Sequence, residues 1–165
     1  MATKILGNMG YVTKTAFGVP NFLNVTGSYT RTSTDLTVVV SGLKSPDTST
    51  SRGFYFGSDT VGGITRRMHY KFDYRFESSE GAAEGVIKWF NLEKATAIQL
   101  TMTSEWKTAE GTFVRSQVDG YYALCFYNTG SKTFPLGTYY FRNVLIEDMP
   151  WILTVNGKPL TITTT

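Results

Sequence analysis

Between Met68 and Glu77 the chain alternates without a break. Met68, Tyr70, Phe72, Tyr74 and Phe76 fall on one side, and His69, Lys71, Asp73, Arg75 and Glu77 on the other. A period of two over ten residues is the signature of a β-strand with one buried face, and no helix can hold such a pattern still. A strand with one apolar face must cover it with other strands and a second layer. The rest of the sequence therefore has to supply further strands and a partner sheet.

It does so in short runs. Phe22–Val25 is a weak strand candidate. Leu36–Val40 is bounded by Asp35 and Gly42, and Phe54-Tyr55-Phe56 lies between a Ser/Thr-rich loop over Lys44–Arg52 and a turn over Gly57–Gly63. After the alternating strand come Glu84–Phe90 and Ala97–Thr103, the latter with Ile98, Leu100 and Met102 inward. Next are Thr112–Val118 beyond a Glu110-Gly111 turn, Tyr121–Tyr127, which is apolar throughout and so central, and Thr138–Glu147. Asn156-Gly157 is the preferred pair for a two-residue hairpin turn. It sets Val155 opposite Lys158 and Thr154 opposite Pro159, with the proline marking a sheet edge. No window is dominated by strong helix formers. The fold class is all-β: a two-sheet antiparallel β-sandwich (jelly roll) over residues 21–165, an irregular N-terminal arm over 1–20, and a C-terminal hairpin.

Bulk properties exclude several classes. The chain has 165 residues, 41% hydrophobic and 18% charged, which is enough to bury a core and too apolar for disorder. Its single cysteine, Cys125, permits no internal disulfide and reads as a small buried hydrophobe. A net charge of +3, with Arg66, Arg67 and Lys71 soon followed by Asp73 and Glu77, is no phosphate-tracking stripe, so no nucleic-acid partner is expected. No run approaches the roughly 18 apolar residues of a membrane helix, and no membrane role is expected.

The constellations of catalysis are missing too. His69 is the only histidine and sits in mid-strand. There is no G-x-S-x-G elbow, no Cys/His cluster for zinc and no Gly-rich phosphate loop. Glycosidases need only two carboxylates, but Glu84, Glu105 and Glu147 belong to no motif. No catalytic residue is assigned, and no enzyme is expected. Calcium is the one metal that sandwich loops suit; Asp47, Asp59 and Asp148 lie in or near turns, where Asp is common for its own reasons.

Aromatic residues are 15% of the chain. Outside the inward stripe lie Tyr55, Trp89, Tyr122, Tyr127, Tyr139 and Tyr140. In Tyr121-Tyr122 and Tyr139-Tyr140 neighbouring rings must take opposite faces of a strand, so one of each pair turns away from the core. Flat rings with a polar tip suit glycan or subunit contacts, and these six are the candidate ligand-binding residues.

Three stretches carry a resemblance. The run MHYKFDYRF (68–76) resembles the strand YTLSFYAR of family 4/9 carbohydrate-binding modules. The run IQLTMTSEWKTAEGTFV, from Ile98 to Val114, is similar to their step in which a tryptophan, here Trp106, starts a strand after a turn. The run GTYYFRNVLIED, from Gly137 to Asp148, resembles their closing strand. The resemblance covers about half of the chain, from residue 64 to 148, and implies a jelly roll. Family members often carry an acidic residue in the closing strand that supports a structural calcium; Arg142 stands in that part of the motif, which argues against the metal.

Such jelly rolls also occur in bacteriophage virions. A start at Met1, with no catalytic partner domain, linker or export signal, suits that setting. The expectation is a non-catalytic virion protein without a cofactor, a decoration or adhesion module. Its partners would be capsid or tail proteins, further copies of itself in a homo-oligomer, and a host surface glycan. The alternative is a free-standing carbohydrate-binding module, with a glycosidase third.

Overall fold

The computed structural model describes residues 13–44, 52–56, 66–79, 86–90, 98–115, 124–128, 134–148, 154–155 and 158–159. Among them there is no helix. The strands are β1 (Thr13–Lys14), β2 (Pro20–Leu23), β3 (Val25–Arg31), β4 (Asp35–Leu43), β5 (Arg52–Phe56), β6 (Arg66–Ser78), β7 (Val86–Phe90), β8 (Ile98–Thr101), β9 (Lys107–Arg115), β10 (Leu124–Asn128), β11 (Gly137–Asp148), β12 (Thr154–Val155) and β13 (Lys158–Pro159).

Two antiparallel sheets form a jelly-roll sandwich. One runs β3-β4-β11-β6-β9, with β1 also paired to β11; the other runs β2-β5-β10-β7-β8. β6 holds the long alternation and lies beside β11, Tyr140 opposite Arg75 and Phe141 opposite Tyr74. β10 is central in its sheet, as its apolar character predicts. The C-terminal hairpin takes the expected register, Thr154 opposite Pro159 and Val155 opposite Lys158.

The core lies between the sheets and is built largely from rings. Met68, Tyr70, Phe72, Tyr74 and Phe76 of β6 are all buried, as are Leu36, Val38 and Val40 of β4 and Phe54 and Phe56 of β5. Phe54 stacks on Phe126 at 5.2 Å, and Phe72 meets Phe126 edge-on at 6.1 Å, tying the two sheets together. Each such ring contributes roughly 1.5–3 kcal/mol by burial.

Four expectations are corrected. Residues 13–20 belong to the sandwich, not to an arm ending at residue 20. Thr13 and Lys14 pair with Glu147 and Ile146, and Phe17 is buried, stacked on Phe56 at 4.5 Å. Residues 1–12 lie outside the described residues. Arg52 is no loop residue but the first of β5, and it is buried. Glu110-Gly111 is not a turn: both lie within β9, Gly111 opposite Tyr70. A Cβ on Gly111 would sit 2.6 Å from the Tyr70 hydroxyl, so glycine there makes room for the ring rather than bending the chain. Finally, β3 extends well past Val25, out to Arg31.

Candidate functional site

Strand alternation sends every second residue of β6, β9 and β11 away from the core, and these side chains share the outer face of the six-stranded sheet. Two cross-strand rows meet there. One joins Thr37, Tyr140 and Arg75 across β4, β11 and β6. The next joins Asp35, Arg142, Asp73 and Thr108 across β4, β11, β6 and β9. Trp106 enters from the turn just before β9, where Ser104 and Glu105 bend the chain. The residue is 37% exposed.

Two guanidinium groups lie on the rings. Arg142 Cζ stands 3.9 Å from the centre of Trp106, and Arg75 Cζ stands 4.2 Å from Tyr140 and 5.3 Å from Trp106. Each cation–π contact at a surface contributes about 0.5–1 kcal/mol and holds the side chain in place. Two carboxylates frame the patch. Glu77 accepts from the Tyr140 hydroxyl at 2.9 Å and pairs with Arg75 Nη1 at 3.0 Å. Asp73 accepts from Thr108 Oγ1 and from Asn143 Nδ2, both at 2.7 Å.

The Asn143 bond depends on a β-bulge. The β11–β6 register shifts between Arg142 and Leu145, and Asn143 takes φ 52, a left-handed conformation that Asn tolerates better than most residues. The bulge aims the Asn143 amide at Asp73. Hydrogen bonds from Thr108 and Asn143, joined by the charge of Arg142 and opposed by partial burial, hold the Asp73 carboxyl below its ordinary range. The hydrogen bond to Glu77 pushes the Tyr140 phenol up.

A second polar cluster lies farther along the same face. His69 meets Glu147 through Nδ1 and Glu110 through Nε2, each at 3.1 Å, while Lys71 Nζ donates to Glu110 at 3.0 Å. Lys71 first, then His69, lowers the Glu110 carboxyl. Among the described residues no group of three or more His, Cys, Asp or Glu side chains could hold a metal ion. Asp47 and Asp59 lie outside the described residues. Arg142, at the position where the resembled family often carries an acid, is engaged with Trp106 and Asp73.

Three of the six aromatic candidates, Tyr55, Tyr139 and Tyr140, have described side chains, and these three do not converge. Tyr140 is on the patch. Tyr139 is not a surface residue: it is 2% exposed, its hydroxyl donates to the Pro135 carbonyl at 2.6 Å, and burial raises its phenol well above the ordinary value. The pair thus splits as strand geometry requires, one ring in and one out. Tyr55 is half-buried on β5, between the core residues Phe54 and Phe56, and therefore faces outward from the opposite sheet. Trp89 stands opposite Phe126 in the β7–β10 register, and Tyr127 opposite Lys88 and Gly53; their side chains, and all of Tyr122, lie outside the described residues. Trp106, Arg75 and Arg142 were not among the sequence candidates. The signal for Trp106 was its place at the start of a strand, and for Arg75 its polar side of the alternation. Neither reveals that β9, β6 and β11 are neighbours.

No protein-family model matches the chain, and neither does any curated protein sequence. Solved structures do match. An arabinose-bound α-L-arabinofuranosidase of family GH51 aligns at TM-score 0.51 and 13% identity, over 78% of this chain and 23% of that one. A CBM4 module aligns at TM-score 0.47 and 13% identity, over 84% and 86%. A cyclase from Fischerella sp. TAU, in complex with 4-(1H-indol-3-yl)butan-2-one, aligns at 0.43 and 16%, over 86% of each chain. At such identities the likeness concerns the fold, which serves several chemistries.

Proposed function

We propose that the protein is a non-catalytic carbohydrate-binding module and that the outer face of its six-stranded sheet is the binding surface. One observation carries this reading: a partly exposed tryptophan, Trp106, stands on a sheet face with Tyr140 nearby, the Arg75 guanidinium against both rings and that of Arg142 against the indole. An indole offers a flat apolar surface to the C–H face of a pyranose, and the surrounding donors suit its oxygens. Asp73, its carboxyl held below the ordinary range by its donors, is unsuited to the role of general acid, which must keep a proton near neutral pH. The narrower expectation of a phage virion component, with capsid or tail partners, finds no support in the fold likenesses and is set aside for the free-standing module.

The test is a glycan array probed with the purified protein and with Trp106→Ala. The expected result is binding to a defined set of glycans, weakened about tenfold or more by the substitution, in line with an aromatic anchor contributing 1–3 kcal/mol. The melting temperature should fall by only a few degrees, because Trp106 is outside the core and its removal loses two surface cation–π contacts. An array on which nothing binds, or binding that ignores Trp106→Ala, would defeat the proposal.

A further inference from the structure

We infer that the saccharide taken by this face is acidic, with a uronate carboxylate received by Arg142; this rests on the reading of the face as glycan-binding. Asp73 has both carboxylate oxygens occupied, by Thr108 and by Asn143. Glu77 has both occupied, by Arg75 and by Tyr140. Asp35, the cross-strand neighbour of Arg142, accepts from Thr34 Oγ1 at 2.6 Å. The carboxylates around the patch are thus each tied to donors of the protein itself.

Within 4.0 Å Arg142 has one ion-pair partner among the described residues, Asp73 Oδ2 at 3.5 Å from Nε, too long for a good hydrogen bond. The Nε atoms of Arg142 and Arg75 are buried without a hydrogen-bond partner. Arg75 uses Nη1 on Glu77. Arg142 therefore keeps its terminal amino groups for something outside the protein, and its side chain is 41% exposed.

A carboxylate only accepts, and it matches the planar guanidinium fork with two parallel bonds. Trp106, its ring centre 3.9 Å from Arg142 Cζ, holds that guanidinium in place beside a partly exposed indole.

The test compares tetragalacturonate with its methyl ester, the same chain without charge, by titration calorimetry on the wild-type protein. At low ionic strength the acid should bind about tenfold more tightly than the ester, the scale of one charge-assisted pair, and the gap should narrow as salt is raised. Arg142→Gln should remove the preference for acid over ester, and Arg142→Lys should restore part of it. Acid and ester bound equally by the wild type, or a preference that survives Arg142→Gln in a folded variant, would overturn the inference and leave glycan binding standing. If neither probe binds while other glycans on the array do, the uronate assignment falls alone. If no glycan binds at all, the reading beneath it falls as well.

Discussion

At the scale of single residues, the patch is held by an aspartate that never needs a proton. Asp73 takes hydrogen bonds from Thr108 and Asn143 and lies beside Arg142, so its carboxyl loses its proton below the ordinary aspartate value of 3.8. The unfolded chain then binds more protons than the native one between the two values, and stability rises with pH across that window. The contribution is complete above the unfolded value and disappears as pH falls through the lowered native one. Thr108→Val removes the first of the donors and should shift the Asp73 titration up toward 3.8, as followed by carboxyl carbon resonances. An Asp73 that titrates at or above 3.8 in the wild type would contradict the hydrogen-bonded arrangement.

At the scale of strands, the β6–β9 pair depends on a glycine. Gly111 lies opposite Tyr70, and a methyl group there would meet the ring at 2.6 Å from its hydroxyl oxygen and 2.9 Å from its Cζ. Tyr70 is buried. Gly111→Ala is expected to cost about 1–3 kcal/mol, the usual range for overpacking, read as a lowered urea midpoint with unchanged slope. An unmoved midpoint would mean that the ring has room to swing aside. The same residue shows how far sequence reasoning reaches. Glu110-Gly111 looks like a turn because glycine usually marks one, yet its reason for being there is a tyrosine many residues earlier. β6 was legible because its alternation is local, and the C-terminal hairpin because two residues fix its register. β3 past Val25 was not, since VTGSYTR lies at a sheet edge and shows no apolar alternation. The patch was half legible: Tyr140 follows from the Tyr139-Tyr140 pair, whereas Trp106, Arg75 and Arg142 meet only through the order of strands in the sheet.

At the scale of the molecule, the core draws on both ends of the described chain. Phe17 stacks on Phe56 of one sheet and meets Phe72 and Phe141 of the other edge-on, each at 5.3 Å. Phe17→Ala should therefore cost about 3–5 kcal/mol, a large part of the 5–15 kcal/mol that typically holds a domain together. Equilibrium unfolding would show it; a loss under about 0.5 kcal/mol, the size of an ordinary surface change, would place Phe17 in a loose arm after all.

β11 borders β4, β6 and β1 at once, and it lies far along the chain. During synthesis β3 and β4 can pair early, and β6 and β9 can pair once made, but the two pairs have nothing to join them until residue 148 has emerged. For that interval β4 and β6 each present an open edge beside exposed aromatic residues, the form in which nascent β-proteins stick to one another. Pairing of β11 with both neighbours is thus the step that closes these two edges at once.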